Sequence, residues 1–266
     1  MRTEFGGRCV EYDRPRIMGI LNVTPDSFSD GGVLMDVRSA VRRAFEIEDQ
    51  GADVLDIGGE STRPGSSPVG AAEEMRRIIP LLREVAPSIG IPVSVDTMKT
   101  EVAAACLEAG AHIINDVNGL RAEGMAELAA SSGAPVVIVH VHGNPGTTHS
   151  SCMEGDAVGT VSAFLKERAE AAMDAGIRRD RIILDPGIGF GKTPDQNIEI
   201  LQSSSLFSHG FPVLSGSSRK RFLGTLFPGM DRELASVRAA RMAVDSGAAM
   251  VRVHDVALTR RVLRTM

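Results

Sequence analysis

The chain of 266 residues is 43% hydrophobic and 24% charged, a balance that buries a core and excludes disorder as the main state. Its 29 Lys and Arg against 34 Asp and Glu leave a formal charge of −5, which argues against a dedicated nucleic-acid or membrane-surface protein. The three cysteines, Cys9, Cys106 and Cys152, lie far apart without CxxC spacing, so they form neither a disulfide framework nor a zinc finger and suit a reducing cytoplasm.

Residues 1–14 carry Arg2, Glu4, Arg8, Glu11, Asp13 and Arg14 and have no apolar stretch of the kind a secretory signal needs. No apolar run approaches the roughly 20 residues that cross a bilayer. Short Ile- and Val-rich runs then alternate with helix-period segments. Residues 16–21 read as a strand, and Ala40, Val41, Ala44, Phe45 and Ile47 form a helical stripe. Residues 54–57 are the next strand, followed by the stripe Met75, Ile78, Ile79, Leu82 and Val85. After the strand at 92–95, Thr100 reads as the cap of an alanine-rich helix that Gly110 stops. Strands at 112–114 and 136–139 precede a helix over 160–175. Strands at 182–184 and 213–214 precede a helix over 234–245, and 250–253 is the last strand. Eight strand–helix units without a linker predict one domain, residues 1–266, folded as a TIM (β/α)8 barrel, with a doubly wound open sheet as the alternative.

A barrel places reactive groups where its strands end. Those positions hold Asn22, Gly58-Gly59-Glu60, Asp96, Asn115-Asp116, His140, Asp185, the segment 217–220, and Arg252 with His254. Asp96, Asp185 and Asn115 offer acceptors, whereas Lys220, Arg252 and His254 offer donors and positive charge. This mixture suits a ligand with a flat, donor-rich heterocycle at one end and phosphate at the other.

Three familiar motifs fail. Residues 185–193 end in Gly191-Lys192-Thr193 like a P-loop, but Pro186 stands where the first glycine is required. What remains is a glycine-rich turn with Phe190 as a stacking face. Ser218 is not a nucleophile elbow, because Lys220 replaces the second glycine. His140 and His142 have the spacing of a metal pair, yet the first strand of such hydrolases usually carries that pair, and here it ends in Leu21-Asn22. A turn is the simpler reading of His142. Arg260, Arg261 and Arg264 read as a solvated basic face at a helix end.

Several longer segments are informative together. Residues 18–32 (MGILNVTPDSFSDGG) and 51–65 (GADVLDIGGESTRPG) resemble signatures of the dihydropteroate synthase family, as do 93–97, 113–117, 184–192, 218–220 and 251–256. They occur in the family's order and cover most of the chain. The resemblance implies a TIM barrel, usually a homodimer, and Mg²⁺-assisted condensation of 6-hydroxymethyl-7,8-dihydropterin diphosphate with p-aminobenzoate. It implies that Asp96, Asn115, Asp185 and Lys220 hold the pterin. Asn22, Arg252 and His254 would hold the diphosphate and its Mg²⁺, with Asn22 the metal ligand. Thr62, Arg63, Pro64, Phe190 and Ser218 would shape the aminobenzoate site, for which sulfonamides should compete, and the loop of Phe28 would close over the reaction. Among these, Asp96, Lys220, Arg252 and His254 are the implied catalytic groups.

Two features depart from the family's usual pattern. Val139 and Val141 flank His140 where methionines are usual, and Arg221 follows Lys220 where a small or aromatic residue is usual. Both bear on substrate affinity more than on the reaction. The competing readings are a non-catalytic pterin-binding homologue, a pterin-dependent methyltransferase domain, and a metal-dependent hydrolase acting through His140 and His142. Segment 218–220 and the pair Arg252 and His254 argue against the methyltransferase, which needs no diphosphate site.

Overall fold

The computed structural model describes residues 1–5, 7–23, 33–60, 69–143 and 152–264. It opens with a hairpin that the hydrophobic pattern does not announce, β1 (Arg2–Phe5) antiparallel to β2 (Arg8–Glu11). The predicted strands follow as β3 (Arg16–Asn22), β4 (Val54–Gly58), β5 (Val93–Asp96), β6 (Ile113–Asp116), β7 (Val136–Val139), β8 (Ile182–Asp185), β9 (Leu214–Ser215) and β10 (Met250–Val253). They pair in parallel in the order β8-β7-β6-β5-β4-β3-β10-β9, and a parallel bridge between Leu184 and Val213 joins the two ends. The sheet is therefore a closed barrel and not an open doubly wound sheet.

The described helices are α1 (Val33–Asp49), α2 (Ala71–Val85), α3 (Thr100–Glu108), α4 (Met125–Ser132), α5 (Ala157–Asp174), α6 (Pro194–Leu201), α7 (Leu223–Leu226), α8 (Arg232–Asp245) and α9 (Val256–Leu263). Side-chain acceptors start several of them. Asp156 accepts from Gly159 N at 2.8 Å ahead of α5, and Asp255 accepts from Leu258 N at 2.9 Å ahead of α9. Thr193 and Gln196 form a reciprocal capping box on α6. Thr100 is not the cap of α3, contrary to expectation. The helix begins at Thr100 itself, after Lys99, and the Thr100 hydroxyl donates to the Glu123 carbonyl at 2.8 Å.

Alternation along each strand sorts the core into two layers. Outward side chains such as Leu55, Ile57, Val95, Ile114 and Val251 pack with the helices. Inward ones, Met18, Val54, Ile113, Val137, Ile183, Leu214 and Met250, fill the barrel, and Val10 and Tyr12 join them at the N-terminal ends of the strands. The hairpin therefore plugs that end. Two residues further along four of these strands the inward position turns polar: Val54 gives way to Asp56, Ile113 to Asn115, Ile183 to Asp185 and Met250 to Arg252. The apolar filling thus stops at a polar floor.

Candidate active site

Above that floor lies a cavity of about 540 Å³, lined by Asn22, Asp96, Phe190, Ser218, Lys220, Arg252 and His254 among others. Seven of the sequence-predicted residues are thus brought to one place. Asn115 and Asp185 are buried at 4% and 6% exposure and belong to the floor. Phe28, Thr62, Arg63 and Pro64 lie outside the described residues.

Arg252 is the centre of the floor. Its Nε donates to Asp56 Oδ2 at 2.7 Å and its Nη2 to Asp96 Oδ2 at 2.6 Å. Burial works against the guanidinium's charge, but Asp56 and Asp96 together raise its pKa above the ordinary value. One cation here serves two carboxylates. Burial pushes the Asp96 carboxyl up to about 7, Arg252 opposes the rise, and Asp56 adds to it. Asp56 was not singled out from the sequence, because it sits mid-strand between Leu55 and Ile57 and reads there as a stray charge. It is fully buried. Asn115 Nδ2 lies 3.3 and 3.4 Å from its two oxygens. Asp116, the next residue on β6, turns away from the barrel and accepts from Asn118 N at 2.7 Å and Leu120 N at 2.8 Å.

Asp185 forms the opposite side of the floor. Its Oδ1 accepts from Gly187 N at 2.7 Å, and burial raises its pKa against the pull of Lys220. A methyl group at Gly216 would touch Asp185 Oδ2 at 3.7 Å and Arg252 Cβ at 3.9 Å, so the missing side chain keeps the floor open between them. Lys220 Nζ donates to the Ile188 carbonyl and lies 4.2 Å from the centroid of the Phe190 ring. Burial lowers its pKa to about 8, with Asp185 acting the other way. Ser218 Oγ and His254 Nδ1 are 2.9 Å apart at the rim.

Two further clusters escaped the sequence reading. Lys192 is buried and donates to the carbonyls of Gly187 at 2.7 Å and Phe190 at 3.2 Å, and to His140 Nδ1 at 2.9 Å. Burial and the neighbouring Lys192 lower the His140 pKa to about 2, so a neutral ring accepts that bond. This ring nitrogen is therefore spent on fixing a turn. Among the described residues no group of three or more His, Cys, Asp and Glu could hold a metal. The second cluster joins Lys99 to Glu60 and to Glu74, the latter at 2.6 Å, while Glu60 Oε1 accepts from Val69 N at 3.0 Å. Its members are far apart in sequence, so no local spacing could reveal it.

Acceptors grouped around Arg252 on the floor, with Lys220 and His254 beside them, give a barrel mouth suited to a donor-rich ring together with an anion. Comparison with known proteins gives that class a family. Residues 18–254 match the family described as pterin binding enzyme. The dihydropteroate synthase of Escherichia coli is 40% identical over 269 residues, covering 100% of this chain and 95% of its own. A Xanthomonas albilineans dihydropteroate synthase solved with 4-aminobenzoic acid superposes with a TM-score of 0.92 at 45% identity, covering 99% of this chain and 96% of that one. A structure from the same organism in complex with 7,8-dihydropteroate gives a TM-score of 0.89 at 42% identity, covering 100% and 97%. The chain belongs to the dihydropteroate synthase family of pterin binding enzymes.

Proposed function

We propose that this chain joins 6-hydroxymethyl-7,8-dihydropterin diphosphate to p-aminobenzoate, forming 7,8-dihydropteroate and releasing pyrophosphate. The carrying observation is the grouping of acceptors and cations at one cavity, where Asp96, Arg252 and Lys220 line the space and Asp185 and Asn115 lie buried in the floor beneath it. A carboxylate that accepts from a ring N–H and the adjacent amino group holds a pterin edge at two points, and Asp185 is the proposed clamp. Arg252 on the floor and His254 at the rim of the same space would attract the diphosphate and stabilise negative charge as the C–O bond breaks. The amine nitrogen then bonds to the exocyclic carbon, pyrophosphate departs with the bonding pair, and the amine proton passes to solvent. Asp96 would favour positive charge on that carbon, and Phe190 and Ser218 would seat the aminobenzoate. An aniline needs positioning more than a strong base.

The reading includes Mg²⁺. The Asn22 carboxamide lies at the cavity with its Oδ1 3.5 Å from a methyl placed on Gly58. One such oxygen fits an ion that keeps several waters and takes its other ligands from substrate phosphates. When bound there, Mg²⁺ would neutralise charge on the leaving diphosphate. Thr62, Arg63, Pro64 and Phe28 are assigned to the aminobenzoate end and its closure by family resemblance, with sulfonamides as competitors. The same resemblance supports a homodimer, and a solution mass of one chain would remove that part. The free thiols of Cys9, Cys106 and Cys152 favour a cytoplasmic setting.

The pterin assignment is tested by replacing its clamp. Asp185→Ala should weaken binding of the phosphate-free dihydropterin by about 100-fold, the loss expected for a two-point charged contact. Unchanged affinity in a calorimetric titration would remove Asp185 from the role.

A further inference from the structure

Asp56 has no task in the chemistry above, yet it is fully buried and faces two residues that do. It stands inward on β4, one step above Val54 of the apolar filling. Arg252 holds Oδ2 from one side, with Nε at 2.7 Å and Nη2 at 2.6 Å. Asn115 approaches from β6, with Nδ2 at 3.3 and 3.4 Å from the two oxygens. A carboxylate paired with a guanidinium offers acceptors only, whereas a carboxamide offers donors at one end and an acceptor at the other. By shape alone the Asn115 amide fits its place either way round. Facing Asp56, only the NH₂ end makes hydrogen bonds. The reversed amide would set oxygen against oxygen in a buried site.

We propose that Asp56 is a positioning residue that locks the Asn115 amide with its NH₂ toward β4, leaving Oδ1 as the end offered to a ligand. The consequence is specificity. Asn115 then adds an acceptor to those of Asp185 and Asp96, and the pocket selects a heterocycle edge that presents N–H groups over one that presents lone pairs. The inference rests on the pterin reading and deepens it.

The test uses the full chain and calorimetric binding of 6-hydroxymethyl-7,8-dihydropterin without phosphate. Asp56→Asn gives residue 56 a donor as well as an acceptor, so Asn115 loses its fixed sense. Affinity should fall by about 10- to 100-fold, the range for reversing one charge-assisted bond. Asn115→Asp sets two carboxylates together and should fall at least as far. Combining Asp56→Asn with Asn115→Asp restores one amide against one carboxylate, with an oxygen still available to the ligand. That double variant should bind more tightly than either single one. If Asp56 served only to balance Arg252, the double variant would be no better than Asp56→Asn. Unchanged affinity in Asp56→Asn, or no recovery in the double variant, overturns the proposal. Should Asp56→Asn fail to fold by circular dichroism, the comparison of Asn115→Asp with the double variant decides alone. A wild-type chain that does not bind the dihydropterin overturns the underlying pterin reading, and that result is distinct from a wild type that binds beside an Asp56→Asn variant that binds equally well.

Discussion

Two carboxylates and one guanidinium cannot all be fully charged in a buried floor without cost. Burial is the main reason the Asp96 carboxyl rises to about 7, with Arg252 opposing the rise and the charge of Asp56 adding to it, while Arg252 stays charged. Lys220 is displaced in the other direction, to about 8. The signs fix a pH profile. Below about 7 Asp96 is protonated and loses its value as an anionic acceptor, and above about 8 Lys220 loses its charge. The kcat/KM for the pterin substrate should therefore rise with pH through the first value and fall beyond the second, since such profiles report the free enzyme. A profile flat from about pH 6 to about pH 9 would show that neither group titrates usefully there.

The turn after β8 shows how one element positions several groups. Asp185 ends the strand, Gly187 bends the chain, Phe190 faces the cavity, and Lys192 folds back to bind the carbonyls of Gly187 and Phe190. Gly187 has φ +64°, and a side-chain carbon there would come within 1.7 Å of the His140 carbonyl oxygen. That oxygen is backbone immediately after β7, which ends at Val139, and cannot yield cheaply. Gly187→Ala should therefore cost more than about 2 kcal/mol of stability, from left-handed strain plus the clash. Urea unfolding measures it, and a cost under about 0.5 kcal/mol would contradict this account of the turn.

Strands were the elements most legible in the sequence, because buried parallel strands are short, continuous Ile and Val runs. Helices α1 and α2 are legible from their apolar stripes, and α3, α5 and α8 as helical segments followed by Gly110, Gly176 and Gly247. Helix α4 is only eight residues long, Met125–Ser132, and α6 equally short, Pro194–Leu201, so their periodicity has too few turns to register. The Thr193 and Gln196 capping box is in plain sight for α6, but Thr193 is also the last residue of the segment that resembles a P-loop. The hairpin β1–β2 alternates polar and apolar weakly, and its value lies in plugging the barrel with Val10, a tertiary fact.

At the level of the whole barrel, chemistry sits where the inward register changes from apolar to polar. The residues just past the strands were readable because a barrel gives those positions a common address. Asp56 was not, since it lies within a strand, and its meaning comes from Arg252, which is 196 residues away in the chain. Lys192 and His140 form their bond across 52 residues. Pairings of this kind follow from closure of the sheet and have no local signature. The grouping of acceptors and cations at one cavity is the central claim, because it sets both what binds and which bond breaks.

That claim is tested most directly by one assay of the purified chain with the dihydropterin diphosphate, p-aminobenzoate and Mg²⁺, following dihydropteroate and pyrophosphate together. We expect the two products in equal amounts, dependent on aminobenzoate and suppressed when the metal is chelated. Pyrophosphate released without aminobenzoate, or no product from a folded chain that still binds the dihydropterin, would contradict it.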